Sequence, residues 1–572
     1  MTKQRFVIFL TAAMTLVAAF SVSAQKPRPD FNRYSDYDVQ HYVIRASFDR
    51  AKKEVFGDTT VIFKPTKADF RSIELDAVGL NFTSVKLDPS GTALNYKTTP
   101  TKVTVTLDKT YQPTDTVAIR FVYTTTGPKK GVYFVSSEKD DKGKELWPDQ
   151  IWSQGEAEEA RYWFPSFDFP SDKATTEEYI TAPNGETVIG NGEFLGKETN
   201  SDGTVTWHYK MPVPHSTYLV SFVVGRYTRV DDRYKDIPLG FYVYNGQETL
   251  AKNAFGGTRD MIAVYEKLTG VPFPYNKYDQ TLVARFQFGG MENITATTMS
   301  DQEIQFASGG PNGIVVDLVS HELAHSWFGD LVTCRNWAEL WLNEGWATYM
   351  EAAYREQAYG RENYMAKVRD DAASFFIGLS INKKPHPLFD LNAGNVDGLF
   401  DDSSITYNKG GVVLHQLREQ IGTEAFWKGA NIYLNAHKFG NVEATDLRKA
   451  MEQSSAQDLG WFFDQWVYSA GAPNLTVTQS WHPVKKALTI TVTQTQRPDA
   501  ITPAAFRLPM DIVIKTASGD QKEKIDVTKR VQSFTFKTGS RPSKLVLDPN
   551  EKILLKKVNL RPVVTARGSG DE

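Results

Sequence analysis

Residues 321–325 of the chain read His-Glu-Leu-Ala-His, and residues 343–345 read Asn-Glu-Gly. Two histidines four positions apart lie on one face of a helix, one turn from each other. The imidazoles of His321 and His325 can therefore reach one metal ion at about 2.0–2.1 Å. Glu322 lies between them, where its carboxylate can face a water molecule beside that ion. The pattern indicates a metal site on a helix.

Glu344 is the expected third ligand. Eighteen residues separate it from His325, which leaves room for a helix end, a turn and an antiparallel second helix. Two histidines and one carboxylate leave the fourth position of a tetrahedral zinc ion open, as catalytic zinc requires. We therefore expect one Zn²⁺ per chain, held by His321, His325 and Glu344. The alternative is a chance match on an ordinary amphipathic helix, and the presence of Glu344 at this spacing disfavours it.

The other histidines and the single cysteine show no comparable pattern. Each histidine is expected on the surface or in a satisfied core position; they are His41, His208, His215, His386, His415, His437 and His482. The single cysteine, Cys334, excludes an internal disulfide and a zinc site built on cysteines. We expect Cys334 to be a buried, inert thiol.

Composition places the chain among ordinary globular proteins. Of its 572 residues, 41% are hydrophobic and 23% charged, and its length predicts about three or four domains. Its 65 basic and 68 acidic residues give a net charge of −3. No long block of like charge is present, which argues against a nucleic-acid-binding arm.

The N-terminus has the three-part pattern of a secretory signal peptide. Lys3 and Arg5 precede an apolar run over residues 6–20, and the small residues of 22–24 follow. The run is short for a membrane anchor, which needs about 20 apolar residues. We expect cleavage after Ala24, no membrane span in the mature chain, and export to the periplasm or the medium.

The rest of the chain predicts a multidomain α+β fold. Residues 25–36 are expected to be a linker, and 37–232 show the period-two alternation of an all-β domain. Residues 233–471 are mostly of helical spacing and hold the expected zinc site. Residues 472–560 return to alternation, which predicts a β-sandwich whose last strand precedes a turn at 548–550. A flexible tail is expected over 561–572.

Four motifs, in order along the chain, resemble those of the M1 metallopeptidases, the gluzincin aminopeptidases. HELAH followed at this distance by WLNEG is that family's zinc signature. GGMEN at 289–293 is a variant of its GAMEN motif, and ITYNKG at 405–410 matches its tyrosine-lysine-glycine segment. SQGE at 153–156, followed by the FPSFDFP stretch of 164–170, is the fourth. The resemblance implies a thermolysin-like catalytic domain.

The resemblance also implies an activity, which is the removal of single residues from peptide N-termini. Glu322 would take a proton from a water molecule activated by zinc and pass it to the leaving amine. Tyr407 would donate a hydrogen bond to the developing oxyanion. Considered alone, Tyr407 would more often be a packed aromatic whose hydroxyl is satisfied, and the flanking TYNKG sequence favours the functional role.

Family matches further assign the substrate contacts. Glu292 matches the residue that binds the free α-ammonium group, and Glu156 matches a second amine-binding position. Two carboxylates would attract a terminal ammonium and would be left unpaired by an internal amide. The backbone of Gly289 and Gly290 is expected to line the substrate, with Met291 and Asn293 completing the motif. Asp168 and Arg161 match the family pattern but are expected to hold the β domain against the catalytic domain.

Two departures from the family pattern affect the interpretation. Many members carry a large C-terminal helical domain, and no helical-repeat region follows Asp548, so the chain resembles a short form. Its cleft would be more open or covered by another subunit. A related branch that combines peptidase with epoxide hydrolase activity also carries GGMEN. Its additional acidic and tyrosine residues do not align, because Leu399 and Asp402 occupy those places, and epoxide chemistry is disfavoured.

Three functions are compatible with the motifs to different degrees. The favoured function is a zinc aminopeptidase that acts on peptides with a free N-terminus. A zinc endopeptidase would share HExxH but would not need amine-binding glutamates. A catalytically silent peptide-binding scaffold should have lost a ligand, the base or the tyrosine, and none of these is missing.

Overall fold

The structure is a computed structural model that describes residues 28–381 and 385–566. The chain divides into two units, Met1–Asp30 and Phe31–Glu572. In the first unit, the described residues 28–30 form neither helix nor strand. The predicted signal peptide lies outside the described residues. Within the described ranges, no helix has the length and apolar character needed to cross a membrane.

The predicted all-β region is confirmed. Its strands are β1 Tyr37–Asp49, β2 Glu54–Pro65, β3 Phe70–Asp76, β4 Asn81–Asp88, β5 Asn95–Thr98, β6 Lys102–Tyr111, β7 Val117–Thr126, β8 Val132–Val135, β9 Glu138–Lys139, β10 Glu145–Trp147, β11 Gln150–Ser153, β12 Lys173–Ala182, β13 Thr187–Gly190, β14 Glu193–Thr199, β15 Val205–Ser216 and β16 Phe222–Gly225.

These strands form several sheets. The largest has the order β14-β15-β12-β1-β2-β7-β4, and smaller ones have the orders β13-β16-β11-β8 and β3-β6-β5. Tyr42 and Ile44 on β1 are fully buried, while Val43 between them is partly exposed. The period-two alternation of the sequence therefore marks the face that packs into the core. The loop that follows strand β11 carries Glu156, one of the residues singled out in the sequence.

The central region begins with a sheet and continues as helices. Its strands are β17 Thr228–Tyr234, β18 Ile237–Val243, β19 Tyr278–Val283, β20 Gly290–Met291, β21 Ala296–Ser300, β22 Val332–Cys334 and β23 Gly440–Val442. Its helices are α1 Glu248–Phe255, α2 Thr258–Thr269, α3 Asp301–Ile304, α4 Gly313–Ala324, α5 Trp341–Tyr359, α6 Arg361–Ile381, α7 Gly410–Ile421, α8 Thr423–Ala436, α9 Ala444–Ser455 and α10 Gly460–Trp466. A π-helix spans Ser404–Lys409.

The sheet of this region has the order β17-β18-β19-β21-β20. Its last hairpin, β20 and β21, brings the GGMEN segment beside α4. The start of α4 is capped by Asn312, whose side chain accepts a hydrogen bond from the Ile314 amide at 2.9 Å. Helix α4 packs against α5, which places the two halves of the zinc signature on neighbouring helices.

The C-terminal strands form the predicted sandwich. They are β24 Asn474–His482, β25 Ala487–Gln494, β26 Leu508–Thr516, β27 Gly519–Val527, β28 Val531–Lys537, β29 Pro542–Leu547 and β30 Lys557–Thr565. They pair in the orders β28-β25-β24-β30 and β27-β26-β29.

The end of this region differs from the prediction. A strand was not expected after the turn at 548–550, and residues 561–565 were expected in a flexible tail. Both expectations are wrong, because β30 runs parallel to β24 from the pair Asn474–Lys557 to the pair Trp481–Thr565. A parallel partner lies far away in sequence, so local turn signals do not reveal it.

An ion-pair cluster joins the β region to the helical region. The Arg161 guanidinium donates to Asp168 at 3.0 Å and pairs with Glu158. The second oxygen of Glu158 accepts from the indole of Trp337, which lies between α4 and α5, at 3.0 Å. The structural role expected for Arg161 and Asp168 is in keeping with these contacts.

Candidate active site

The three expected metal ligands converge. His321 lies in the last turn of α4, His325 follows its end, and Glu344 lies in the first turn of α5. One Glu344 carboxylate oxygen, Oε2, lies 3.3 Å from His321 Nε2 and 3.4 Å from His325 Nε2. All three side chains are buried or nearly so.

These separations fit a tetrahedral ion. Ligand atoms about 2.0–2.1 Å from a tetrahedral centre lie about 3.3–3.4 Å from one another. The other ring nitrogens already have partners: His321 Nδ1 lies 2.8 Å from Glu351 Oε1, and His325 Nδ1 lies 2.9 Å from the Phe328 carbonyl oxygen. A ring nitrogen that donates to oxygen leaves Nε2 as the acceptor, which is the form that binds metal. The donor set therefore suits Zn²⁺.

The charges at this position stabilise each other. Burial by itself would raise the pKa of Glu344, but the adjacent His325 and His321 outweigh it and hold the pKa at about 2. Burial would lower the pKa of His321, yet Glu344 and Glu351 raise it to about 9. The position thus strongly favours an ionised Glu344 carboxylate, which is the form required of a metal ligand.

Glu322 faces the same point from α4. Burial raises its pKa to about 8, against the opposing influence of His321 and His325. A cation held by the histidines would lower that value again, toward the range of a general base. The carboxyl packs against the backbone of Gly290, where an added Cβ would overlap its oxygen. The glycine therefore lets strand β20 approach the Glu322 carboxylate.

Glu292 and Glu156 form an acidic pair beside the three expected metal ligands. Glu292 follows β20, and Glu156 comes from the β region, yet oxygens of both lie within 4.8 Å of each other and of a Glu344 oxygen. Each is less than 10% exposed, and among the described residues the Oε1 atom of each has no hydrogen-bond partner. Burial raises the pKa of both; for Glu156 the charge of Glu292 adds to it. Among the described residues, His325 pairs with Glu292, its Nδ1 lying 3.8 Å from Glu292 Oε1.

Tyr407 lies across the site on the π-helix. Its ring lies nearly parallel to that of His321, with centroids 5.9 Å apart and planes 13° from parallel. Burial, together with the charge of Glu344, raises the pKa of Tyr407 well above its usual value. The hydroxyl therefore stays protonated and can donate a hydrogen bond.

These groups line one cavity of about 450 Å³. Its lining contains nearly all the residues expected from the sequence and several that were not; it comprises Glu156, Phe288, Gly289, Gly290, Met291, Glu292, Leu318, His321, Glu322, His325, Glu344, Glu351, Phe400, Ser403 and Tyr407. The volume suits a small ligand group rather than a large folded segment.

Asn293 has a different position from the rest of its motif. It is fully buried, does not line the cavity, and its amide donates to Thr298 Oγ1 on β21 at 3.0 Å. Met291 lines the cavity, and its sulfur lies 3.1 Å from the Gln154 amide nitrogen. Asn293 thus braces the hairpin that presents Glu292.

Sequence reasoning missed Glu351 and the aromatic wall of the cavity. Glu351 lies seven positions after Glu344 on α5, so two helical turns place both on one face; this spacing could have suggested it. Phe288 and Phe400 carry no such signal. Their rings meet with centroids 5.8 Å apart across segments more than a hundred residues apart in sequence.

Lys409, Asp330 and Cys334 lie within or close to the motifs in sequence. Lys409 is fully buried and donates to the Ser469 carbonyl oxygen at 3.2 Å; burial lowers its pKa to about 7. The carbonyl oxygen of Asp330 accepts from Lys173 of β12 at 2.9 Å. Cys334 is buried, and burial raises its pKa well above the usual value, which suits an inert thiol.

Comparisons with known proteins agree with the motifs. The model of the peptidase family M1 domain matches residues 253–466, and that of the peptidase M1 N-terminal domain matches residues 38–219; together they cover more than half of the chain.

Curated relatives carry related names. The chain is 34% identical to aminopeptidase N of Streptomyces lividans over 360 residues, which cover 61% of this chain and 40% of the relative. It is 29% identical to aminopeptidase 2 of Candida albicans over 409 residues, 70% of this chain and 43% of the relative. It is 28% identical to tricorn protease-interacting factor F2 of Thermoplasma acidophilum over 450 residues, 77% and 54%. The chain thus spans about half the length of these relatives or less.

Proposed function

We propose that this chain, which belongs to peptidase family M1, is a zinc-dependent aminopeptidase. It removes N-terminal residues from peptides with a free α-amino group. The substrate class rests on one observation above all. Glu156 and Glu292 bring two buried carboxylates together next to the proposed metal ligands, and an oxygen of each lacks a hydrogen-bond partner among the described residues.

A substrate ammonium group would complete this pair. Burying two carboxylates without a cation is costly, and an α-ammonium donates up to three hydrogen bonds to such oxygens. An internal amide or an acetylated terminus has no charge and would leave the carboxylates unpaired. The distance from this pair to Glu344 is short, so a bound terminus would have its first peptide bond near the proposed metal position.

The residues of the cavity have separate roles in the proposed hydrolysis. Zn²⁺ bound by His321, His325 and Glu344 would supply Lewis-acid polarisation and make a water molecule more acidic. Glu322 accepts the proton of the attacking water and returns it to the leaving nitrogen. Tyr407 donates its hydroxyl proton in a hydrogen bond to the oxyanion that develops on the carbonyl.

Hydrolysis of chromogenic substrates tests this proposal. Purified protein should release the aromatic amine from aminoacyl-anilides with a free α-amino group, and the N-acetylated analogues should remain intact. A chelator should abolish turnover, and stoichiometric Zn²⁺ should restore it. Cleavage of the acetylated substrates or of internal bonds in blocked peptides would indicate an endopeptidase. Zinc-loaded protein that binds peptides without cleaving them would indicate a silent scaffold.

The proposal extends to the location of the protein. The N-terminal pattern supports export with cleavage after Ala24. It consists of the basic residues Lys3 and Arg5, the apolar run after them and the small residues before Gln25. Intact-mass measurement on protein recovered from its native host tests this. A mature chain that begins at Gln25, found in the periplasm or the medium, is the expected result; a full-length chain in the cytoplasm would contradict it.

A further inference from the structure

A row of buried charged side chains leads from His321 away from the cavity. His321 Nδ1 lies 2.8 Å from one oxygen of Glu351. The other oxygen of Glu351 lies 2.9 Å from the Lys367 ammonium. Lys367 in turn donates to both oxygens of Asp371, at 2.7 and 2.9 Å. The row therefore alternates in charge from α5 to α6.

The members of this row are shielded from water. Glu351 and Lys367 are each 8% exposed, and Asp371 is 4% exposed. A surface ion pair of this kind would contribute little, but buried charges that lose a partner are strongly destabilised. Each group therefore holds its neighbour in place.

The row ends at the segment that carries Tyr407. Asp371 Oδ1 accepts a hydrogen bond from the Asn408 side-chain amide at 2.9 Å. Asn408 directly follows Tyr407 in the π-helix Ser404–Lys409, and π-helical turns are rare and concentrate at functional sites. A side-chain bond from this turn to α6 fixes the rotation of the turn.

The two ends of the row thus reach His321 and the residue that follows Tyr407. One end orients the imidazole of His321, and the other anchors the residue next to Tyr407, whose ring lies nearly parallel to that imidazole. Bonds of this kind hold a catalytic group at its place when a displacement of about 1 Å can cost about 100-fold in rate.

We propose that Asn408, held by Asp371, is a positioning residue that keeps the Tyr407 hydroxyl in register with the metal ligand His321. The proposal rests on the proposed role of Tyr407 as the oxyanion donor. Asn408 itself touches no substrate and acts through its neighbour. Loss of its amide should let the turn rotate, so the hydroxyl would meet the oxyanion at a poorer distance.

A double-mutant cycle tests this. Asn408→Ala is made in the wild-type protein and in Tyr407→Phe. In the wild-type background Asn408→Ala should lower kcat about 10- to 100-fold, with KM changed less than threefold and zinc content unchanged. In the Tyr407→Phe background it should have no further effect, because the group that Asn408 positions is already gone. Asn363→Ala, at an exposed position on α6, is the matched control and should leave kcat unchanged.

The outcomes distinguish a failure of the positioning role from a failure of the proposed function. Equal fold-losses in both backgrounds would overturn the positioning role and leave the proposed function intact. Full activity of Tyr407→Phe would contradict both the proposed role of Tyr407 and this inference. Amide hydrogen exchange over residues 404–409 is measured in parallel, on protein with and without zinc. Asn408→Ala should accelerate it in both forms, and unchanged exchange would contradict the anchoring of the turn.

Discussion

Gly345 and Gly410 bring two helices together backbone to backbone. A Cβ built on Gly345 would lie 2.9 Å from the Cα of Gly410, and one built on Gly410 would lie 2.8 Å from the Cα of Gly345. Gly345 directly follows the proposed ligand Glu344, and Gly410 lies three residues after Tyr407. The separation between Glu344 and Tyr407, the proposed ligand and the proposed oxyanion donor, is therefore set by a contact in which no side chain fits.

Gly345→Ala should be destabilising and should lower activity. Overpacking of a close contact costs about 1–3 kcal/mol, and relief of the overlap would push α7 and the Tyr407 turn away from α5. Urea denaturation and kcat measure the two effects. Gly313→Ala at the start of α4 is the control, because nothing lies near its Cβ position. Equal stability of Gly345→Ala and wild type would contradict the argument.

Glu322→Gln should keep the metal and lose turnover. The amide has the shape of the carboxyl group but cannot accept the proton, and general bases contribute about 10²–10⁴-fold. Elemental analysis and kcat on a free aminoacyl-anilide are the measurements. Glu322→Asp, which keeps the charge but retracts it, should retain part of the activity. Unchanged turnover in Glu322→Gln would show that another group is the base.

Glu292→Gln and Glu156→Gln should each weaken the preference for a free amine. Removing one charge of a buried pair costs about 2 kcal/mol or more, which is about 30-fold in kcat/KM for the substrate with a free amine. Glu248→Gln, exposed at the start of α1, is the matched control. A variant whose kcat/KM on this substrate equals that of wild type would exclude the mutated carboxylate from amine binding.

Glu351→Gln should weaken zinc binding about 10- to 100-fold, because its carboxylate orients His321 and makes that ring a better ligand. Competition with a chromogenic chelator measures the affinity. The exposed residue Glu362 on α6 supplies the control Glu362→Gln. Affinity equal to wild type would mean that the hydrogen bond between Glu351 and His321 contributes nothing to the site.

Glu178 should make the protein less stable as the pH rises. It is 1% exposed on β12, accepts one hydrogen bond from the Asn191 amide at 3.1 Å, and burial raises its pKa to about 8. Between the unfolded value near 4.5 and about 8, the folded state holds a proton that the unfolded state has lost. The free energy of unfolding therefore falls across this window, by up to about 1.4 kcal/mol per pH unit.

Glu178→Gln should remove that slope, since the amide is neutral at every pH and can still accept from Asn191. Its Tm should exceed that of wild type at pH 8–9 and approach it near pH 5. Glu198→Gln on the exposed strand β14 is the control and should follow the wild-type curve. Parallel Tm profiles for wild type and Glu178→Gln would show that Glu178 does not titrate in this range.

The amino-acid sequence by itself determined the local parts of the site. The spacing of His321 and His325 fixes them on one helical face, because 3.6 residues make one turn whatever surrounds the helix. The alternation of the β regions is local in the same sense. The distance to Glu344 indicated the second helix, and the motif order indicated the family.

Tertiary structure decided the pairs that are far apart in sequence. Glu156 meets Glu292 only because the β region packs on the helical region, and Asp371 meets Asn408 only because α6 packs on the π-helix. Strand β30 pairs in parallel with β24, although the other strands of the sandwich separate them in sequence, and no local turn pattern predicts this pairing. Such contacts depend on how separate elements bury their apolar faces together, and a short-range periodicity carries no information about which partner each face will find.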